Sequence, residues 1–426
     1  MKILNGTYRE FRLDNGLFVA LQNTPTQTVS GRLRVWHGSL NEQKGEEGIA
    51  HFLEHSLILG GSQKYTPEKS KEIRGTFAYF NAFTALDRTF FPVDMLAEDT
   101  DLFIKYISDT VFNPKFDKSK VEEERQRVLR EMSNVKSHNL FADRRAYNET
   151  LFGKDSQHVY FGLGKEEIIN AATIEDLDKF HKRGYSPNNA DLICVGALPE
   201  NIEGIIRDNF SEFKQGSGKK IEFARNPPLS QSTIYHYSAP ELINQDNPEQ
   251  SNAQLKMSIV APNEIDEDSY AFGMLAKILG GDTNSRLFTS ISQKKGLAYG
   301  IGALYDLYNN QGVVDFNGQI LATKANEAID IIFEEMSKLR TELVPQDSLD
   351  RLKRNSRYHI AKTYEFNAGH VASIELLLDK GLTPEYILKK IEEVTPEKIR
   401  EVAIKYLPQD RENGKYVLSL RDPLKK

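Results

Sequence analysis

Two histidines and a glutamate fall within five residues at His51-Phe52-Leu53-Glu54-His55. On a helix, residues four apart stand one turn apart on the same face, so His51 and His55 can grip one metal ion. Glu54 is three residues from His51 and beside His55, which brings its carboxylate within reach of a water on the ion's open side. This HxxEH order is the HExxH zinc motif reversed. The competing reading is two solvent-facing histidines and a glutamate on a surface helix.

A catalytic zinc takes three protein ligands and keeps one position open, so a third ligand must come from another element. The stretch Asp117–Val135, DKSKVEEERQRVLREMSNV, reads as a helix that begins after Pro114 with Asp117 as its N-cap. Val121, Val128 and Val135 recur every seven positions and mark a buried stripe. Glu124 and Glu131 fall on that stripe, each three residues after a valine. A buried carboxylate is costly unless it is paired or binds a metal, so both are candidates.

The elements that must position these residues come twice in the chain. His51–Gly61 reads HFLEHSLILGG and Ala271–Gly281 reads AFGMLAKILGG. Each is followed by a helical stretch and two strand-like runs, Thr76–Thr84 with Arg88–Val93 and Ala298–Tyr308 with Val313–Ile320. The second pair is broken by the turn signal Asn309-Asn310-Gln311-Gly312. Thr173 and Thr395 each open a helix as an N-cap and lead to strands at Asp191–Val195 and Lys415–Leu420. Between the halves, Lys214–Ser230 is rich in Gly, Lys and Pro and reads as a linker. The expectation is an α+β protein of two homologous halves, 1–213 and 231–426 joined by 214–230, each a mixed, mainly antiparallel sheet backed by helices. Aligned on Ile-Leu-Gly-Gly, His51, Glu54 and His55 correspond to Ala271, Met274 and Leu275. A helix needing only to pack would be apolar in both copies.

Composition narrows the classes. A chain of 426 residues is too long for one ordinary core. The formal net charge is −6 and no Lys/Arg block stands out, so a nucleic-acid or anionic-membrane partner has no electrostatic support. Cys194 is the single cysteine, which excludes an internal disulfide and any cysteine-based zinc cluster. It sits in the apolar run Leu192–Val195 and reads as a small buried residue. The N-terminal stretch has no apolar h-region, and no run of about eighteen apolar residues could span a bilayer. A cytoplasmic placement is the expectation.

With these motifs the chain resembles the pitrilysin (insulinase) family of zinc peptidases, the inverzincins, in its short two-domain form. That family places a third ligand glutamate 76 positions after the second histidine, and Glu131 stands there. It places a supporting glutamate seven residues earlier, at Glu124. Its Gly-Ser before the motif matches Gly38-Ser39, its substrate strand Asn-Ala-x-Thr matches Asn81-Ala82-Phe83-Thr84, and its Gly-Leu-Ala-Tyr matches Gly296–Tyr299. The resemblance implies one Zn2+ per chain on His51, His55 and Glu131, with Glu54 as general base and Glu124 steering a ligand by hydrogen bonding. It also implies peptide substrates added as a strand beside Asn81, Ala82 and Phe83, with Tyr299 contributing to catalysis. His37, His138, His158, His181, His236, His359 and His370 lack ligand spacing and read as structural or solvent-exposed.

One position departs from the pattern. Active members carry an arginine seven residues before the tyrosine, and here that position is Ser292. Arg286 has the spacing of a different, structural arginine, while Lys294 and Lys295 are nearby bases. The departure implies a dimer, either of two copies or with a paralogue that supplies the Arg/Tyr pair. The alternative reading is a subunit that keeps its zinc residues but is weakly active or inactive alone.

Overall fold

The computed structural model describes residues 8–137, 140–153, 162–221, 229–308 and 311–425. The readings made on the first seven residues, on His138 and His158, on linker residues 222–228 and on the Asn309-Asn310 turn lie outside the described residues.

In chain order the first seven strands are β1 (Tyr8–Arg12), β2 (Phe18–Asn23), β3 (Thr28–Val35), β4 (Tyr79–Phe80), β5 (Phe83–Thr84), β6 (Thr89–Leu96) and β7 (Ala190–Gly196). They form one sheet in the order β1-β2-β7-β3-β6-β4, with β5 also on β6. The remaining strands are β8 (Thr233–Ser238), β9 (Asn252–Ala261), β10 (Ala298–Tyr308), β11 (Gln311–Leu321) and β12 (Val417–Asp422). They form a second sheet in the order β10-β11-β9-β12-β8. Only β2 with β7 and β8 with β12 run parallel among the described pairs, so both sheets are mixed and mainly antiparallel. The α+β expectation holds.

The helices begin with α1 (Ile49–Leu59), α2 (Pro67–Arg74), α3 (Thr100–Phe112), α4 (Lys118–Ser137), α5 (Leu140–Phe152), α6 (Glu166–Ala171), α7 (Ile174–Gly184) and α8 (Ile202–Phe210). They continue with α9 (Asp268–Gly280), α10 (Ala325–Thr341), α11 (Gln346–Thr363), α12 (Asn367–Lys380), α13 (Pro384–Glu393) and α14 (Pro396–Tyr406). Thr173 and Thr395 cap α7 and α14, each accepting from the backbone N–H three residues on. Asp117 does the same for α4, its Oδ1 accepting from Ser119 and Lys120 N–H. No described helix is long and apolar enough to cross a membrane.

The chain divides into two compact units. The first holds Met1–His138, Tyr160–Glu222 and Ile360–Pro384; the second holds Asn139–Val159, Phe223–His359 and Glu385–Lys426. Two described segments therefore depart from a linear division: 140–153 packs with the later sequence, and 360–384 with the earlier. Strand alternation explains how each sheet receives them. In the first unit Val19, Leu21, Leu192 and Cys194 face a large core built with Phe52, Phe103, Phe180 and Ile206. The intervening Ala20, Ile193 and Val195 face the other way and are covered by Val371 and Ile374 of α12. In the second unit Tyr147, Leu151 and Phe152 of α5 cover Val313 and Val417.

Charge reinforces the α12 contact. Arg34, 1% exposed, holds Asp191 through two hydrogen bonds of 2.5 and 3.0 Å and Asp379 of α12 at 3.1 Å. Arg32 reaches Glu375 at 2.5 Å, and Arg88 reaches Asp379 at 2.6 Å. Trp36 donates its Nε1–H to Asp191 at 2.9 Å. Asp191 thus satisfies one buried cation and one buried indole. Removing Asp191 leaves the Trp36 indole N–H and two Arg34 donors without their acceptor while Asp379 still faces the cation, so Asp191→Ala should lower stability by about 1–3 kcal/mol. Urea denaturation followed by tryptophan fluorescence at the single Trp36 measures it; a change within about 0.5 kcal/mol, as for an ordinary surface site, would contradict the network's role.

Candidate metal centre and active site

Helix α1 starts at Gly48, whose φ of +104° lies in the left-handed region, and a Cβ there would approach the Leu163 carbonyl oxygen to 2.8 Å. The mostly buried Glu42 closes this helix end: its Oε1 accepts from Gly48 N–H at 3.0 Å and Ala50 N–H at 2.9 Å. The helix buries Ile49, Ala50, Phe52, Leu53 and Leu57. His51 and His55 remain on the less buried stripe, one turn apart, with ring centroids separated by 4.7 Å.

Helix α4 packs against α1. Its buried stripe runs through Val121, Glu124, Val128 and Met132, with Val135 only half-buried. Glu124 is on that stripe, 2% exposed, and its Oε2 lies 3.1 Å from His55 Nδ1. Glu131 differs from the expectation of a buried carboxylate. Met132 takes the core position, and the Glu131 side chain is 46% exposed at the stripe's edge. From there its Oε2 stands 3.8 Å from both His51 Nε2 and His55 Nε2.

The ligand atoms of His51, His55 and Glu131 all lie within 4.8 Å of one another. A tetrahedral ion with bonds of about 2.0–2.1 Å spaces its ligands about 3.3–3.4 Å apart, so the three atoms stand within a small adjustment of that spacing. The donor chemistry fits as well. With Nδ1 of His55 directed at Glu124, its Nε2 is left facing the other two ligand atoms. Burial, aided by the neighbouring His55, lowers the His51 pKa to about 4, so the ring is neutral and able to ligate at physiological pH. For His55 burial pulls downward, but the bond to Glu124 and the charges of Glu54, Glu124 and Glu131 outweigh it and raise the pKa.

Glu54 points from the same helix and is 8% exposed. Its Oε2 accepts from the Thr84 hydroxyl at 2.8 Å. Burial raises its pKa above the ordinary carboxylate value, partly offset by that hydroxyl and by His55. The second unit shows what the same scaffold does without chemistry. There α9 buries Ala271, Met274 and Leu275 to 2% exposure or less.

Asn81, Ala82 and Phe83 lie at or between β4 and β5, on the outer side of β6 and hence at the sheet edge. Asn81 N–H bonds to Pro92 O at 3.2 Å, and Asn81 Oδ1 accepts from Ala82 N–H at 2.9 Å, which separates the two short strands. Phe83 is 39% exposed and stacks on Phe90 at 5.3 Å. Gly38 lets the preceding loop approach, since a Cβ there would fall 2.4 Å from Ala85 O. Two participants escaped the sequence reading: Thr84, quoted only as part of a strand motif, and Glu42, six residues ahead of its helix with no capping-box spacing to flag it.

Tyr299 belongs to the second unit, at the start of edge strand β10. The register shifts between Ala298 and Gly300, and Tyr299 is 99% exposed on that irregularity. Ser292 lies in a π-helical turn, Phe288–Gln293, and its hydroxyl is buried with no hydrogen-bond partner among the described residues. Arg286 lies 3.8 Å from the buried Glu335, and Lys295 pairs with Glu327 at 3.2 Å. Among the other histidines, His181 is buried with Nε2 2.8 Å from Val111 O, His37 is buried against Phe180, and His236 pairs with Asp422. Cys194 is fully buried, its thiol pKa pushed up to about 12 by burial.

Comparison with known proteins gives two family matches along the chain. The family model described as insulinase (peptidase family M16) matches residues 18–154, and that described as peptidase M16 inactive domain matches residues 171–356. A protein of Streptomyces coelicolor named as an uncharacterized zinc protease is 25% identical over 93% of this chain and 87% of its own. A Bacillus subtilis protein named as the uncharacterized zinc protease YmxG is 23% identical over 97% of this chain and 98% of its own. Among solved structures, a protease from Helicobacter pylori aligns with a TM-score of 0.83 at 19% identity, covering 98% of this chain and 99% of that one. The periplasmic protease PqqL of Escherichia coli gives 0.80 at 18% identity over 99% of this chain and 48% of its own.

Glu42 offers a test of the helix entry that is independent of metal. Burial lifts its pKa from 4.5 to about 8, although the two backbone N–H groups pull the other way. The folded state therefore keeps a proton that the unfolded chain releases near pH 4.5, so stability falls as pH rises from there to about 8 and then levels off. Glu42→Gln removes this dependence, and urea midpoints of the two proteins should diverge across that window. Parallel curves would mean that Glu42 is already ionised in the folded state.

Proposed function

Because the chain belongs to the insulinase family of peptidases, family M16, we propose that it is a zinc-dependent endopeptidase acting on short or unfolded peptides. The observation that carries this reading is the convergence of His51, His55 and Glu131 within 4.8 Å, with Glu54 on the same helix. One Zn2+ per chain would be held by His51, His55 and Glu131; when bound, it supplies Lewis acidity that activates water and polarises a carbonyl. Glu54 takes the proton of the attacking water and later delivers it to the leaving amine. Its raised pKa suits both transfers better than an ordinary carboxylate's would. Glu124 holds His55 by Nδ1 and so fixes the direction of its Nε2. The peptide adds as an extended strand at the β4–β5 edge, where backbone pairing gives affinity with little sequence choice and Phe83 offers an apolar contact.

A second reading is favoured by Ser292. It carries no charge and, with its hydroxyl turned inward, offers no donor beside the outward Tyr299. In this reading the chain supplies the zinc site within a dimer, and a paralogue supplies an Arg/Tyr pair.

Replacing His51, His55 or Glu131 by Ala should abolish stoichiometric zinc. Glu124→Ala should weaken zinc by about 10–100-fold in a chelator competition. Glu54→Gln should keep the metal and lose about 10²–10⁴ in kcat on an unfolded peptide; a Glu54→Gln enzyme of normal rate removes the mechanism. Loss of an oxyanion donor costs about 10²–10³, so the isolated chain should be slow by that order and recover with its paralogue. A fully active isolated chain would remove the second reading and leave the first.

A further inference from the structure

We propose that Thr84 is a positioning residue for Glu54, tying the carboxylate that moves the proton to the strand that receives the peptide. The proposal rests on the peptidase reading above and deepens it.

The geometry starts with a hydroxyl that has one proton and two oxygens near it. Thr84 Oγ1 lies 2.8 Å from Glu54 Oε2 and 3.5 Å from the Ala50 carbonyl oxygen. The shorter contact to the charged acceptor takes the proton. The terminal torsion of a glutamate is soft and roughly two-fold, so an unanchored carboxylate presents either oxygen over a range of directions. Committing Oε2 to Thr84, whose backbone N–H also acts on the carboxylate, restricts the orientation of the group and favours Oε1 as the oxygen that meets water.

The anchor itself is rigid. Thr84 pairs with Thr89 across β5 and β6, and Phe83 pairs with Phe90. Thr89 is locked in turn: its hydroxyl accepts from Tyr185 at 3.0 Å and donates to the His37 carbonyl at 2.9 Å. The turn beyond Thr84 is closed by Ala85 N–H to Arg88 O at 2.8 Å and by Ser39 N–H to Ala85 O at 3.1 Å. A side chain held this way keeps its place to the fraction of an ångström that proton transfer needs. Thr84 also follows directly after the edge residues Asn81, Ala82 and Phe83. A peptide paired to that edge therefore has its register set relative to the same residue that orients the base. The link between binding and chemistry is one residue long.

Thr84→Val keeps the β-branched shape and removes the hydroxyl, while Thr84→Ser keeps the hydroxyl. With zinc content measured for each variant, Thr84→Val should retain metal and KM but lose about 10–100-fold in kcat, the loss expected for one hydrogen bond to a charged group. Thr84→Ser should restore kcat to near the original. Added to Glu54→Gln, Thr84→Val should cost nothing further, because its effect passes through the carboxylate. Normal kcat in Thr84→Val, alongside an inactive Glu54→Gln, overturns this proposal and leaves the peptidase reading standing. So does an equal loss in Val and Ser, or a full additional loss in the double variant. An active Glu54→Gln enzyme overturns both.

Discussion

Helices α1 and α4 face one another with two imidazoles and three carboxylates between them, and this confrontation of like charges dictates the rest of the first unit. Glu54, Glu124 and Glu131 would repel if left together in a poorly solvated cleft. Each has been given a separate answer. Glu124 is sunk in the interface against His55, Glu54 is tied back to Thr84, and Glu131 is left at the rim, half in water. The arrangement holds only if the helix faces keep their register, and the capping of α1 by Glu42 and of α4 by Asp117 sets where each begins. What remains between the helices is a site of three ligand atoms whose surplus negative charge a dication would neutralise.

Much of this was legible because the helical period converts spacing into direction. His51 and His55 must share a face at a separation of four, and seven residues on α4 return to nearly the same side, so Glu124 and Glu131 had to be neighbours. The period is less able to say which of two such glutamates sinks. Its small drift over a heptad moves the core position from Glu131 to Met132, and only the packed helix pair shows that. The internal duplication was also readable, since Gly60 and Gly280 mark corresponding helix ends, and the buried Ala271, Met274 and Leu275 show the apolar default from which the first copy departs.

What the sequence did not disclose depends on contacts between distant residues. Periodicity marks the apolar face of α12 and of α5 without naming the sheet that each will cover. Arg32, Arg34 and Arg88 find Glu375 and Asp379 some three hundred residues along the chain. The irregularity at Tyr299 is of the same kind, because a one-residue slip between β10 and β11 is fixed by the partner strand and leaves no local composition signal.

The placement of α12 also bears on how the protein is made. A ribosome releases the chain from its N-terminus, so β1, β2, β3 and β7 emerge long before the helix that covers their second face. At roughly 5–20 residues per second, the interval between the end of the first sheet and the arrival of α12 is on the order of ten seconds or more. Throughout that time Ala20, Ile193 and Val195 lie bare beside Arg34. Completion of the first unit is then a late event, timed by translation of the segment that carries α12.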